Sequence, residues 1–278
     1  MAYEDYQLMR VAVADGVCRA TIDNPPINLL DARLLTEVGR LAREIAADDG
    51  VRVLIVDSAD PQFFIAHADV ALLDRLRGPV TEATAPPDEL SPFNATMELF
   101  RTLPKATIAV IEGVCRGGGS EFAMAFDMRY AALGKARFGQ PEVAVGIIPG
   151  GGATQRLPRL VGRERALEVI LGGMDFGAAT AESWGYVNRA LPATELRRFV
   201  DRLAARIASY PPPAIANAKR AVEAAANPDL AAGLRVEDDL LRETLAHPAA
   251  RARLQAVIDA GAQTRDFELG AAPKRDQS

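Results

Sequence analysis

The chain has 278 residues, a net charge of −5 and acids and bases mixed along its length. It can therefore bury a substantial core, and it has no basic block suited to nucleic acid or a membrane surface. Two cysteines and two histidines form no metal-ligand spacing, and so low a cysteine number suits a reducing, cytoplasmic setting. The first ten residues carry Glu4 and Asp5 without an apolar core, so no leader peptide is expected, and no apolar run approaches the ~20 residues of a membrane span.

Gln7 to Asp15 alternates apolar and polar, Asp15-Gly16 signals a turn, and Val17 to Ile22 returns, so the chain is expected to open with a hairpin. Asp23-Asn24-Pro25-Pro26 stops it. Asp31 is placed to cap a helix running to about Ala47, with Leu34, Leu35, Val38, Leu41, Ala42 and Ile45 at helical spacing. Val51 to Val56 is nearly all apolar, as in a strand covered on both faces. The small residues of Phe63-Phe64-Ile65-Ala66-His67-Ala68-Asp69-Val70 let the backbone approach a ligand, and Asp69 can cap a helix starting near Val70. Gly78 to Pro92, rich in Pro, Thr, Ala and acids, reads as a mobile surface loop suited to cover a pocket. A helix is expected from Phe93 to Leu103.

The central stretch, Thr107 to Gly162, carries the chemistry. Thr107 to Ile111 is a β-branched apolar run and predicts a buried strand. Gly117, Gly118 and Gly119 then strip the turn of side chains, and Ser120 to Met128 has helical character. A Gly turn at a helix N-terminus presents free N–H groups and a positive dipole end, which suits an anion or a developing oxyanion. The turn has neither the Lys-Ser/Thr ending of a phosphate-binding loop nor the G-x-G-x-x-G spacing, which favours the oxyanion reading over the nucleotide one. Glu121 follows the first glycines. Glu142 follows Phe138-Gly139-Gln140-Pro141 and precedes Gly150, Gly151 and Gly152.

Helices are then expected from Arg163 to Leu171 and from Ala178 to Trp184, and a strand from Tyr186 to Leu191. From about Thr194 to Ala262 only helical signals remain, broken at Pro211-Pro212-Pro213, Asn227-Pro228 and His247-Pro248. Two domains are expected, a core at 1–193 and a helical subdomain at 194–278, with frayed residues from Leu269 to Ser278.

Gly117-Gly118-Gly119-Ser120-Glu121, Phe138-Gly139-Gln140-Pro141-Glu142, Ile148-Pro149-Gly150-Gly151-Gly152 and Thr154-Gln155-Arg156-Leu157, in this order and after F-I-A-H-A-D, resemble the enoyl-CoA hydratase/isomerase (crotonase) superfamily. The resemblance implies an α/β fold, a spiral of repeated strand-strand-helix units, with a C-terminal all-helical region that forms trimers or dimers of trimers. It implies an acyl-CoA thioester substrate, no metal and no cofactor beyond the coenzyme A of the substrate. The backbone N–H groups of Ala68 and Gly118 would bind the thioester oxygen. Glu121 would activate water and Glu142 would handle the α-proton, with Gly150 holding the water and Ala66 and Asp69 facing coenzyme A. The implied reaction is hydration of a 2-enoyl-CoA, with isomerisation or another lyase or hydrolase reaction of the same scaffold as the alternative.

Two positions depart from the family pattern. His67 stands where glycine is usual and either fits the turn or places a proton donor near the thioester. Ala71 stands where lysine is frequent, leaving Arg75 or Arg77 to meet the coenzyme A phosphates. Each glutamate also has a simpler reading as a first-turn helix acid. Asp127 reads as structural, Arg156 and Arg159 as ion-pairing or subunit-contact residues, Cys115 as a buried inert thiol, and Trp184 and Phe267 as core or interface residues. A serine protease on a related spiral would need Ser120 within reach of His67 or His247 and an acid.

Overall fold

A computed structural model describes residues 3–71 and 89–269. They fall into two compact units, Met1–Ser209 and Tyr210–Ser278.

The first unit is built on two sheets. The larger, six-stranded, has the order β1 (Met9–Ala14), β2 (Val17–Ile22), β3 (Val53–Ser58), β5 (Ala106–Ile111), β7 (Met128–Ala132) and β10 (Arg189–Leu191). The smaller has β4 (Phe63–Ile65), β6 (Val114–Arg116), β8 (Arg137–Gly139) and β9 (Phe176–Gly177). The opening hairpin is antiparallel, its turn made by Asp15 and Gly16 at φ 51° and 78°. From β2 to β10 the large sheet is parallel, and β3 and β5 are buried along their whole length, as expected of strands covered on both faces. Three successive pairs, β3/β4, β5/β6 and β7/β8, each put their first strand in the large sheet and their second in the small one. This stepping makes the spiral.

The steps are tight. A Cβ on Gly113, between β5 and β6, would lie 2.1 Å from the Gln62 carbonyl oxygen, so only glycine lets the two turns stack. Helix α1 (Ala32–Ala47) is capped by Asp31, whose carboxylate accepts from Leu34 N at 2.8 Å, and it buries Leu34, Val38, Leu41, Ala42 and Ile45. Helix α2 (Pro92–Arg101) starts at Ser91, with proline in its first turn. Its Phe100 meets Phe122 and Phe126 at 5.0 and 5.1 Å between ring centroids, and Phe122 belongs to helix α3 (Gly118–Met124). This aromatic cluster fixes α2 against α3 beneath the Gly turn.

Helix α3 stops short of the Met128 expected from its composition, because residues from Met128 onward are taken into the large sheet. Asp127 secures that change of direction: Thr107 N donates to its carboxylate at 2.8 Å, and its own N–H donates to the Thr107 hydroxyl at 2.9 Å. The strand expected from Tyr186 is confined to Arg189–Leu191. The amides of Tyr186 and Val187 are already used on the Ala181 carbonyl, closing helix α6 (Ala178–Trp184). Helices α4 (Ala153–Val161) and α5 (Arg163–Gly172) follow β8, and α7 (Ala193–Ala208) lays Leu196, Val200, Ala204 and Ala208 inward. The first unit thus runs one helix past the point where strand signals cease in the sequence.

Among the described residues the second unit is all helix. Helices α8 (Pro212–Ala224) and α9 (Leu230–Ala246) pack as an antiparallel pair, with Asn217 donating to the Thr244 hydroxyl at 3.0 Å. Helices α10 (Pro248–Asp259) and α11 (Arg265–Glu268) complete it. Its breaks fall at the proline and asparagine positions expected. The loop expected at Gly78 to Pro92, Arg75 and Arg77, and the tail after Leu269 lie wholly or mostly outside the described residues.

Candidate active site

The Gly turn opens helix α3. Gly117 sits at φ 48°, and its N–H donates to the Gly139 carbonyl at 2.9 Å, tying the turn to the end of β8. Leu30 binds the chain on both sides of Ala68: its N–H donates to His67 O and its carbonyl accepts from Asp69 N, both at 3.0 Å. That parallel bridge turns the N–H of Ala68 itself to the opposite edge, the edge of the Gly turn. A Cβ on Gly118 would lie 2.7 Å from Ala68 Cβ and 3.2 Å from Ala68 N, so glycine is what allows the two segments to close on one another. Among the described residues, neither the Ala68 nor the Gly118 N–H has a hydrogen-bond partner.

Glu121 is buried. Its carboxylate does not cap its own helix, which removes the first-turn reading. It accepts instead from Gly151 N at 2.6 Å and Ala153 N at 3.0 Å, at the N-terminus of α4. Burial raises its pKa, opposed by those two N–H bonds and by the Arg156 charge. The Gly151 peptide is itself gripped. Arg156 donates to Gly151 O at 2.8 Å and to Glu98 of α2 at 2.6 Å, and Asn94 donates to Gly150 O at 2.9 Å. No side chain fits at Gly151, where a Cβ would meet Phe93 at 1.9 Å and Glu121 Oε2 at 2.7 Å.

Glu142 begins a 3₁₀ turn, Glu142–Val145, and is half-buried. Its Oε1 lies 2.7 Å from the point a Cβ on Gly117 would occupy, so its carboxyl hangs over the Gly turn. The Gln140 side-chain amide lies 3.0 and 3.2 Å from its two oxygens, close enough to donate to both when its –NH₂ faces them. Burial, reinforced by the charge of Glu121, raises its pKa from 4.5 to about 7. The structure therefore brings together four of the positions singled out in the sequence: the amides of Ala68 and Gly118, and the carboxyls of Glu121 and Glu142.

The sequence model of the family described as enoyl-CoA hydratase/isomerase matches residues 12–264. The chain belongs to this family. The Bacillus subtilis protein YngF, named for the enoyl-CoA hydratase/isomerase family, is 34% identical over 237 residues, covering 85% of this chain and 89% of its own. The crystal structure of an enoyl-CoA hydratase from Bacillus anthracis is 32% identical, covers 91% of this chain and 96% of its own, and superposes with a TM-score of 0.82. Pseudomonas aeruginosa DspI, 29% identical, covers 93% and 96% with a TM-score of 0.83. The spiral core is thus the fold of a crotonase-type enzyme family.

The other positions singled out in the sequence fall around this centre. His67 lies beside Gly117, but its backbone is not left-handed, so the turn does not call for glycine there. Its Nδ1–H donates to the Ala68 carbonyl at 2.8 Å, which braces the segment carrying the Ala68 amide. Asp69 accepts from Ala71 N at 2.9 Å, at the end of the first described stretch, and Ala66 is buried with its N–H on Ile27 O. Gly150 is exposed, and a Cβ there would meet nothing within 4 Å. Ser120 is bonded to Tyr186 and Gln140 and His67 to the Ala68 carbonyl, so these two do not form a protease pair, and His247 is occupied within its own unit as an N-cap, accepting from Ala249 N at 3.2 Å. Cys115 is fully buried, and burial pushes its thiol up. Arg156 is ion-paired as expected, yet it also holds the Gly151 peptide, a role that sequence reading missed. Asn94, Glu98, Gln140 and Tyr186 were missed as well. Gln140 alone carried a signal, its place two residues before Glu142.

Proposed function

We propose that the protein is an enoyl-CoA hydratase, adding water across the double bond of a 2-enoyl-CoA thioester. The observation that carries this reading is the pair of carboxyls, Glu121 and Glu142, near two amides that have no hydrogen-bond partner among the described residues. The thioester oxygen accepts from the Ala68 and Gly118 N–H groups, which stabilise the enolate charge that builds there as water attacks the β-carbon. Losing one such donor typically costs about 3 kcal/mol. Glu121, held as an acceptor by Gly151 and Ala153, takes the proton from water. Glu142, with a pKa of about 7, is protonated often enough near neutrality to deliver hydrogen to the α-carbon and basic enough to recover it. Gly150, exposed and next to the Gly151 peptide that binds Glu121, takes part in holding the water. Ala66 and Asp69 border the coenzyme A entrance.

The same reading extends to assembly as a trimer or dimer of trimers. Helix α9 exposes Leu230, Leu234, Leu241 and Leu245 at spacings of one or two helical turns, and α10 exposes Leu254, Val257 and Ile258. An apolar stripe of this kind fits a second copy of the chain.

The test is spectroscopic. Purified protein is mixed with crotonyl-CoA and longer 2-enoyl-CoA thioesters, and the ultraviolet absorbance of the conjugated thioester is followed. Loss of absorbance with a 3-hydroxyacyl-CoA product supports hydration. Interconversion of 3-enoyl and 2-enoyl thioesters without hydration transfers the assignment to the isomerases.

A further inference from the structure

Behind Glu142 lie three buried polar side chains to which the proposed reaction gives no part. Ser120 and Gln140 are each 1% exposed and Tyr186 is 0% exposed. The Tyr186 and Ser120 hydroxyl oxygens are 2.6 Å apart, and Gln140 bridges Ser120 to Glu142. Buried polar groups at such sites must be bonded, and here the bonding admits two arrangements.

In the first, the Gln140 –NH₂ donates to Glu142 Oε2 and Oε1 at 3.0 and 3.2 Å, and its carbonyl accepts from the Ser120 hydroxyl at 3.0 Å. Ser120 in turn accepts from Tyr186. This arrangement serves a carboxylate. In the second, the amide is reversed. Its –NH₂ donates to Ser120 Oγ at 3.0 Å, and its carbonyl faces Glu142, where it can accept an acid O–H. Ser120 then donates to Tyr186, and the Tyr186 hydroxyl turns to the Ser120 carbonyl at 3.4 Å. In the first arrangement each of these buried donors has an acceptor, and in the second only one N–H of the Gln140 –NH₂ has none among the described residues; each hydroxyl keeps its own hydrogen in both, so no net proton moves along the chain.

We propose that Ser120 and Tyr186 are positioning residues that let the Gln140 amide reverse with the proton on Glu142, so that the carboxyl is held in one place both as acid and as carboxylate. The use made of that proton rests on the hydratase reading; the coupling of the amide to it does not. The groups facing this corner are Glu121 from α3, which acts directly on Glu142, and His67 across Gly117. Arg156 acts on Glu121 from α4, Arg129 and Cys115 lie around Tyr186, and Asp175, paired with Arg116, borders Gly139.

The sign follows from which groups lose partners. Without the Ser120 hydroxyl, the carboxylate arrangement leaves one carbonyl oxygen short of a donor. The acid arrangement leaves a buried –NH₂ with nothing to accept from it, which is the costlier defect. Ser120→Ala therefore favours the carboxylate. Tyr186→Phe acts in the same direction and more weakly, since it removes the acceptor of the Ser120 O–H only in the acid arrangement.

The experiment is a ¹³C NMR titration of the full-length protein labelled at glutamate carboxyls, with the Glu142 resonance assigned by its absence in Glu142→Gln. Expected is a fall in the Glu142 titration midpoint of about one pH unit, tenfold in the proton equilibrium, for Ser120→Ala, and a smaller fall for Tyr186→Phe. In hydration assays the alkaline limb of kcat moves to lower pH by the same amount, with KM little changed. A midpoint unmoved or raised in folded variants, as judged by thermal melting, overturns the proposal. Should Ser120→Ala fail to fold, Tyr186→Phe, which deletes a single oxygen, decides by the same criterion. Failure of crotonyl-CoA hydration in the parent with the midpoint shifts intact would count against the hydratase reading and leave the coupling standing.

Discussion

The two glutamates are the same residue in two environments. Glu121 sits on a helix inside the protein, and its Oε1 is met by two backbone N–H groups at the start of another helix. Those donors are part of the fold and favour the carboxylate in place. Glu142 sits on a 3₁₀ turn at the edge of the core, and its partner is a side-chain amide that can present either a donor or an acceptor. Burial raises both acids, but the main-chain setting of Glu121 suits a fixed proton acceptor and that of Glu142 suits a group that gains and loses a proton. On the proposed hydration, the division of labour lies in the partners more than in the carboxyls.

Replacing either acid breaks the comparison most severely. Glu121→Gln and Glu142→Gln should each lower kcat for hydration by roughly 10²–10⁴-fold in steady-state assays, the usual worth of one general acid or base. Equal activity of the double variant and the parent would leave the protein as a thioester-binding scaffold. The stability of the two variants should also differ with pH. Glu142 holds its proton up to about 7 in the folded protein, against 4.5 in the unfolded chain. Its contribution to stability is therefore full below pH 4.5 and is lost as pH rises through 7. Melting temperatures across that window should fall less for Glu142→Gln than for the parent.

Gly118→Ala leaves both acids intact and wedges apart the amides they serve, since the new Cβ lies 2.7 Å from that of Ala68. Turnover should fall roughly 10²-fold with the protein still folded, as for loss of one oxyanion donor. Arg156→Ala releases the Gly151 carbonyl and the Glu98 pairing, loosening the peptide that donates to Glu121. A loss of about tenfold in kcat is expected, with the acid limb of the pH profile moved upward because a charge that lowers the Glu121 pKa is gone. A wholly unchanged profile would make Arg156 a structural ion-pair residue alone. The smallest effect belongs to His67→Gly, under about threefold, because the ring braces a carbonyl and the backbone there has ordinary φ.

Much of this arrangement was legible in the sequence. The hairpin turn at Asp15-Gly16, the Asp31 cap and the nearly all-apolar third strand carry local signals that tertiary structure kept. The prolines at 211–213, 228 and 248 mark helix ends by steric rule. The Gly turn announced a close backbone approach, and the structure supplies the segment that approaches, through Ala68. What sequence could not give was contact across the chain. Asn94 on α2 reaches Gly150 and Glu98 reaches Arg156, each more than fifty residues away, and Tyr186 reaches Ser120 from beyond β9. Tyr186 looked like the start of a strand because its periodicity is that of any short apolar run, and only the closing bonds to Ala181 show why it turns inward.

The central claim is that water adds to a bound enoyl thioester between these two acids. It is tested most directly by the mass of the product formed from a 2-enoyl-CoA in ¹⁸O-labelled water. The account predicts one solvent oxygen in a 3-hydroxyacyl-CoA product with the parent, and almost none with Glu121→Gln. A product carrying no solvent oxygen, or a parent and variant that label alike, would contradict it.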